Sequence, residues 1–207
     1  MGTGDDLRTQ WLQLRERLER RRLLDAPDAS LSLRIPGGDA MWFGLSLDAQ
    51  PLLRRWRGEG GLHARLYGLR DDLGAIAAGG GRFGACLAAF GGAMPEVFDE
   101  QARHLGRMGP ACDDLRGLAR AVRAGGNMLL MQGRPVCLGT TGLRMALNAE
   151  LFEKCAKAYV LAVAGGGRVR PLPWIVRTVA NRRLIKDERR AAERFARGLL
   201  PEECKGY

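Results

Sequence analysis

The stretch LGAIAAGGGRF, Leu73 to Phe83, decides how the rest of the chain is read. An apolar run of small residues, Leu73 to Ala78, stops at three consecutive glycines, Gly79, Gly80 and Gly81, and Gly84 follows. The run predicts a short buried strand, the glycines a tight turn, and Arg82 to Phe90 a helix of small residues. The spacing of Gly79, Gly81 and Gly84 also satisfies G-x-G-x-x-G between a strand and a helix, the setting of a dinucleotide-binding turn. That fingerprint requires a second strand ending in an acid about 20 residues later. Here the sequence reads MPEVFDEQARHLG, a helix start, so the dinucleotide reading is not supported.

Working outward, Asp5 to Leu24 places Leu7, Trp11, Leu14 and Leu18 at helical spacing, an amphipathic opening helix. Ser30 to Ile35 and Ala40 to Leu45 read as strands joined by Pro36-Gly37-Gly38-Asp39, a hairpin signal. Gly61 to Leu69, Pro95 to Leu105 and Cys112 to Ala124 read as helices. Asn127 to Gln132 and Pro135 to Leu138 read as buried strands around Gly133. The longest helix starts near Thr141, with Leu143, Leu147, Leu151, Cys155, Ala158 and Ala162 along one stripe, and Gly165-Gly166-Gly167 ends it. A basic helix, residues 174–197, closes the pattern. No repeat or linker interrupts it, so residues 1–207 are expected to form one α/β domain with strands interspersed among helices.

Composition narrows the function classes. The 207 residues carry a net charge of +10. From Arg168 to Arg197, ten basic residues face three acidic ones. Charge alone does not make a nucleic-acid site. Such a site pairs cations with stacking aromatics, and only Trp174 and Phe195 occur here, both reading as packing residues. Nucleic acid is not an expected partner. No apolar run reaches the roughly 20 residues of a membrane span, and the polar opening MGTGDDLRTQW lacks a leader's apolar core, so a cytoplasmic location is expected. Five scattered cysteines without a C-x-x-C pair read as free thiols, several buried.

Two histidines, His63 and His104, cannot form a three-histidine zinc site, and neither G-x-S-x-G nor a P-loop is present. Glu59 and His63 lie four apart at the predicted start of a helix. They could exchange protons with a substrate. Equally, Glu59 could be a first-turn acid favoured by the helix dipole, with His63 hydrogen-bonded nearby.

The order of segments resembles the class II aldolase/adducin family. The resemblance is carried by LHARLYGLRDDLGAI (62–76), GACLAAFGGAMPEVFDEQARHLG (84–106) and MLLMQG (128–133) followed by LRMALNAELFEKCAKAYVLAVAGGG (143–167), and it covers about residues 5 to 165. His63 to Tyr67 matches the family's H-x-x-x-Y helix, and Glu150 to Tyr159 its E-x-x-E-x-x-A-x-x-Y helix. The resemblance implies a central, mainly antiparallel sheet flanked by helices on both sides. It also implies aldol cleavage or a related reaction of a hydroxy-carbonyl substrate, assisted by zinc on three histidines. Those histidine positions read Ala78, Gly80 and Gln132, so the expected metal set is none and no cofactor is expected. The family's phosphate motif keeps only Ser32 and Arg34, its T-P-S-G stretch is replaced near Phe43-Gly44-Leu45-Ser46, and its S-S-E becomes Arg57-Gly58-Glu59.

Two readings follow. In one, the chain is a degenerate family member, a structural, regulatory or partner subunit. It would assemble as a homo-oligomer, a tetramer in the family's manner, or with an active paralogue. In the other, it is a metal-independent lyase for a small hydroxy-carbonyl or carboxylate substrate. Glu59 and His63 would then be catalytic. Ser32, Arg34, Arg57, Gln132 and the backbone of Gly79, Gly80 and Gly81 would bind substrate.

Overall fold

The computed structural model describes residues 3–203. Helix α1 (Thr3–Arg20) leads into strands β1 (Ser30–Arg34), β2 (Ala40–Leu45) and β3 (Leu52–Arg55). Helix α2 (Leu62–Leu69), strand β4 (Ala75–Ala78) and helix α3 (Arg82–Cys86) follow. Then come α4 (Leu118–Ala121), β5 (Met128–Met131), β6 (Arg134–Gly139), α5 (Gly142–Ala164) and α6 (Trp174–Ala196). The six strands form one sheet in the order β3-β2-β1-β4-β6-β5, and every strand pairing is antiparallel. That topology removes the dinucleotide reading of the glycine turn, which belongs to parallel β-α-β units.

Side chains alternate across the sheet and feed two cores. Leu31, Leu33, Ala75, Ala77 and Cys137 face one way and pack with Leu7, Trp11, Leu14 and Leu18 of α1 and with Met145 and Phe152 of α5. Ile76, Ala78, Val136 and Leu138 face the other way and pack with Leu66 and Tyr67 of α2 and with Leu118 of α4. The helices therefore flank the sheet on both sides, as the resemblance implies. The indole N–H of Trp11 donates to the Leu31 carbonyl at 2.9 Å, so this large ring is buried without an unpaired donor.

The sheet's two edges differ. The 109–112 segment donates to β5 from the Gly109 and Cys112 amides, which covers that edge. Strand β3 is exposed along its length, and Arg54 and Arg55 place charge there. It was not legible in the sequence, because Leu52 and Leu53 lack the alternation that burial on one face imposes. The expected helices over 95–105 and 112–124 shrink to a π-helical turn at Gln101–Leu105 and to α4. The intervening chain spends its backbone on sheet-edge and loop contacts instead. The leucine stripe of the long helix is also corrected. Met145, Asn148, Ala149, Phe152, Ala156 and Val160 of α5 are buried, whereas Leu143 and Leu147 are part of its exposed face. Trp174, read as a packing residue, is 67% exposed. Cys112, Cys137 and Cys155 are buried free thiols and Cys86 is an exposed one; Cys204 lies outside the described residues.

Helix α6 is tied to the body by a buried ionic cluster. The Arg70 guanidinium binds both Asp72 oxygens at 2.9 and 2.5 Å and lies 2.9 Å from Glu188 of α6. It also donates to the Gly126 carbonyl at 2.6 Å, while Glu188 accepts from the Gly125 amide at 2.7 Å. Burial raises the Glu188 carboxyl above its ordinary value against the pull of Arg70. Removing one partner strands the others in a medium that solvates them poorly. Arg70→Met is expected to cost about 3–5 kcal/mol in a denaturant titration. A loss under about 1 kcal/mol would mean that water reaches this cluster.

Candidate functional site

The glycine turn is closed rather than open. The Gly79 amide donates to the Pro135 carbonyl at 3.0 Å, so β4 stays paired up to its last turn. Gly79 and Gly80 have φ of 125° and 58°, backbone that glycine adopts at little cost. A β-carbon on Gly79 would lie 2.5 Å from that of Ala29. One on Gly80 would lie 2.3 Å from the Pro135 ring, and one on Gly81 would lie 2.5 Å from the Glu153 carboxyl carbon. The Glu153 carboxylate, reaching from α5, accepts from the amides of Phe83 and Gly84, both at 2.8 Å. The loop does cradle an anion, but the anion belongs to the chain itself. Sequence reasoning missed Glu153 as the occupant; its only trace is the second acid of the E-x-x-E pattern in α5.

The three positions where the resemblance places zinc ligands do not fit that metal. Ala78 and Gly80 have no donor atom, and Pro135 occupies the space into which a side chain at Gly80 would extend. Gln132 is the first residue of the two-residue turn between β5 and β6. Its φ of 52° precedes 74° at Gly133, and its side-chain Nε2 donates to the Asp113 carbonyl at 3.2 Å. Among the described residues, no three His, Cys, Asp or Glu side chains converge to hold a metal ion.

His63 is buried and fully engaged. Its Nε2 lies 2.9 Å from the Ser30 hydroxyl and its Nδ1 lies 2.7 Å from the Ser32 hydroxyl. Ser32 in turn lies 2.9 Å from the Tyr67 hydroxyl, and the Phe43 ring packs edge-on at 5.2 Å from the imidazole. Alternation on β1 turns both serines to the α2 face, and the 63/67 spacing stacks the imidazole and the phenol on one face of α2. Burial lowers His63 to about 3 and raises the Tyr67 phenol. The imidazole is thus a neutral strut between β1 and α2 at ordinary pH.

Glu59 does not join it. Helix α2 starts at Leu62, so Glu59 sits in the preceding loop rather than in a first turn. It is exposed and accepts from the Arg55 amide at 3.3 Å. Arg55 pairs with Ala40 at one end of β2, whereas Ala78 pairs with Ser30, which pairs with Leu45 at the other. Five residues along β2 separate these ends, roughly 16 Å. Ser30, Gly79, Gly80, Gly81 and Gln132 share one end of the sheet; Arg34, Arg57 and Glu59 share the other. Arg34 is clamped between the rings of Trp56 and Phe195, at 4.9 and 4.6 Å, and donates to the Asp71 carbonyl at 2.9 Å. Burial lowers its pKa, and its role here is to hold α6 and the 71–74 turn against β1. Arg57 and Glu59 instead line a cleft of about 910 Å³ together with Trp56, Arg65, Asp71 and Arg116.

No protein-family model matches the sequence, and neither does any curated protein. Solved structures do match. YgbL of Escherichia coli, described as a candidate aldolase/epimerase/decarboxylase, superposes with a TM-score of 0.71 over 85% of this chain and 98% of its own, at 17% identity. An L-fuculose 1-phosphate aldolase gives 0.72 over 88% and 96%, at 18% identity. The L-fuculose 1-phosphate aldolase of Glaciozyma antarctica PI12 gives 0.71 over 92% and 88%, at 15%. At these identities the likeness is one of fold: the chain has the α/β architecture of class II aldolase structures.

Gly80→Ala forces a β-carbon into the Pro135 ring at positive φ and is expected to cost about 2–4 kcal/mol in thermal or denaturant unfolding. A cost near zero would show that the turn can open. Burial also lowers His104 to about 4, aided by Arg144 and Arg103. Both histidines take up protons in the unfolded chain near 6.5 but not in the folded one. Their contribution to stability is therefore full above pH 6.5 and falls below it, by about 1.4 kcal/mol per pH unit for the fully buried His63 once its unfolded form is charged and by less for the half-buried His104. His63→Asn is expected to flatten the slope of the denaturant midpoint between pH 6.5 and 5.5. An unchanged slope would place His63 in contact with solvent.

Proposed function

We propose that the chain is a divergent relative of the class II aldolases that keeps their fold and works as a non-aldolase structural, regulatory or partner subunit. The observation that carries this reading is the packed turn at Gly79 to Gly81. Pro135, Ala29 and Glu153 fill the volume that ligand side chains would need, so the turn serves packing rather than metal chemistry. A second observation supports the subunit role. Leu143, Leu147 and Leu161 of α5, with Trp174, Ile175 and Val179 of α6, are exposed apolar residues of the sort an assembly covers. A homo-oligomer, or a hetero-oligomer with an active paralogue, would bury them. A cytoplasmic setting, suited to buried free thiols, belongs to the same proposal.

A second reading, a metal-independent lyase, rests on Glu59, whose carboxylate faces a sizeable cleft. The two readings separate in one assay of the purified chain with hydroxy-carbonyl substrates, with and without added zinc. The first expects no cleavage or condensation above background under either condition. The second expects a rate that chelators leave unchanged and that Glu59→Gln abolishes. A zinc-dependent rate would overturn both.

A further inference from the structure

Three arginines from three separate segments rim the cleft beside α2, with Glu59 and Asp71 on the same lining. Arg57 follows β3, Arg65 lies on α2 and Arg116 belongs to the turn before α4. All three are exposed, and none forms an ion pair with another described residue. Several cations of the body are paired: Arg17 and Arg21 share Glu150, Arg70 has Asp72 and Glu188, Arg103 has Asp187, and Arg177 has Glu96. Exposed cations such as Arg182 and Arg189 also occur on α6, where water and salt screen them. Around a concavity, three guanidiniums add their fields to one volume and raise the local concentration of anions.

The wall of the cleft is built rather than loose. Trp56 is 6% exposed and lies under the Arg57 guanidinium, 5.1 Å from the ring, with Arg34 at 4.9 Å and the Tyr67 ring at 6.2 Å. Stacking holds Arg57 in place, so a ligand need not order it on binding. The Trp56 indole N–H is buried and has no hydrogen-bond partner in the chain, an uncommon state for a buried donor. Glu59 and Asp71 place two carboxylates among the arginines. A volume of about 910 Å³ accommodates a small organic molecule.

We propose that this cleft binds a small polyanion, a molecule carrying two or more phosphate or carboxylate groups, with its hydroxyl or amino groups turned to Glu59 and Asp71. The guanidiniums take the oxyanions in forked hydrogen bonds, and the carboxylates accept from the ligand's donors. The site lies at the end of the sheet away from the glycine turn. Its occupancy requires no catalysis, so it is independent of either reading of the reaction. It would suit a regulatory ligand as well as a substrate.

Inorganic pyrophosphate and citrate serve as probes, titrated calorimetrically into the whole chain at low and at moderate salt. At least one is expected to bind with one-to-one stoichiometry, and their ratio separates phosphate from carboxylate preference. Arg65→Ser with Arg116→Ser, both exposed positions, is expected to leave the melting temperature in place and to weaken binding by about tenfold or more. Arg182→Ser with Arg189→Ser on α6 removes the same charge and is expected to leave the dissociation constant within about twofold. Trp56→Phe, which keeps the stacking surface and removes the unpaired N–H, reports whether the ligand uses that donor. Absence of binding by both probes at about millimolar concentration would overturn the proposal. So would equal weakening by the two arginine pairs, which would assign the affinity to net charge.

Discussion

Strand β4 is paired along both edges and covered on both faces, and the rest of the molecule is arranged around that constraint. Its four residues, Ala75-Ile76-Ala77-Ala78, hydrogen-bond to β1 on one side and β6 on the other. Ala75 and Ala77 face the core under α1 and α5, Ile76 and Ala78 the core under α2 and α4. Small side chains let both helical layers approach the sheet closely. A strand so enclosed can leave the sheet only through a tight turn, here pressed against Ala29 and Pro135. Glycine is required there by space and by positive φ together. Packing is sufficient to account for these glycines.

The same economy governs the buried polar groups. Three regions with the makings of an ion-binding or proton-transfer site are closed by groups of the chain. Glu153 takes the amides after the glycine turn. Ser30 and Ser32 take both nitrogens of His63. Asp72 and Glu188 take Arg70. A buried polar group without a partner costs more than a hydrogen bond contributes, so such self-completion is what a stable interior demands. Against that background, the cleft between the 56–60 loop, α2 and Arg116 stands apart, because Arg57, Arg65 and Arg116 meet there without an ion pair to another described residue.

Much of this fold was legible because periodicity reports burial. The 3.6-residue spacing of Leu7, Trp11, Leu14 and Leu18 and the small apolar run before the glycines both located elements correctly. Strand β3 was not legible, since an exposed edge strand imposes no alternation. The face of α5 was misread because leucine marks a core in water-soluble helices only on average. In α5 the sheet takes alanines, a methionine and a phenylalanine, and leaves Leu143 and Leu147 outside. The site residues were legible as types but not as a constellation. Glu59 and His63 are four residues apart in sequence, yet one faces solvent and the other is locked beneath α2, because the helix begins three residues after Glu59.

By itself, the sequence determined an α/β chain with a short central strand, a glycine turn, a long helix and a basic terminal helix, and it placed Ala78, Gly80 and Gln132 where the family resemblance expects zinc-binding histidines. These follow from residue identity and local spacing, which need no partner in space. Only the tertiary structure decided that the glycine loop is filled by Glu153, that His63 is a neutral strut, and that Arg57, Arg65 and Arg116 meet around one cleft. The first two depend on residues 31 to 72 positions apart being brought within about 3 Å, and the third on three segments lining one cleft. Sheet register and helix packing set such distances, and no local pattern encodes them.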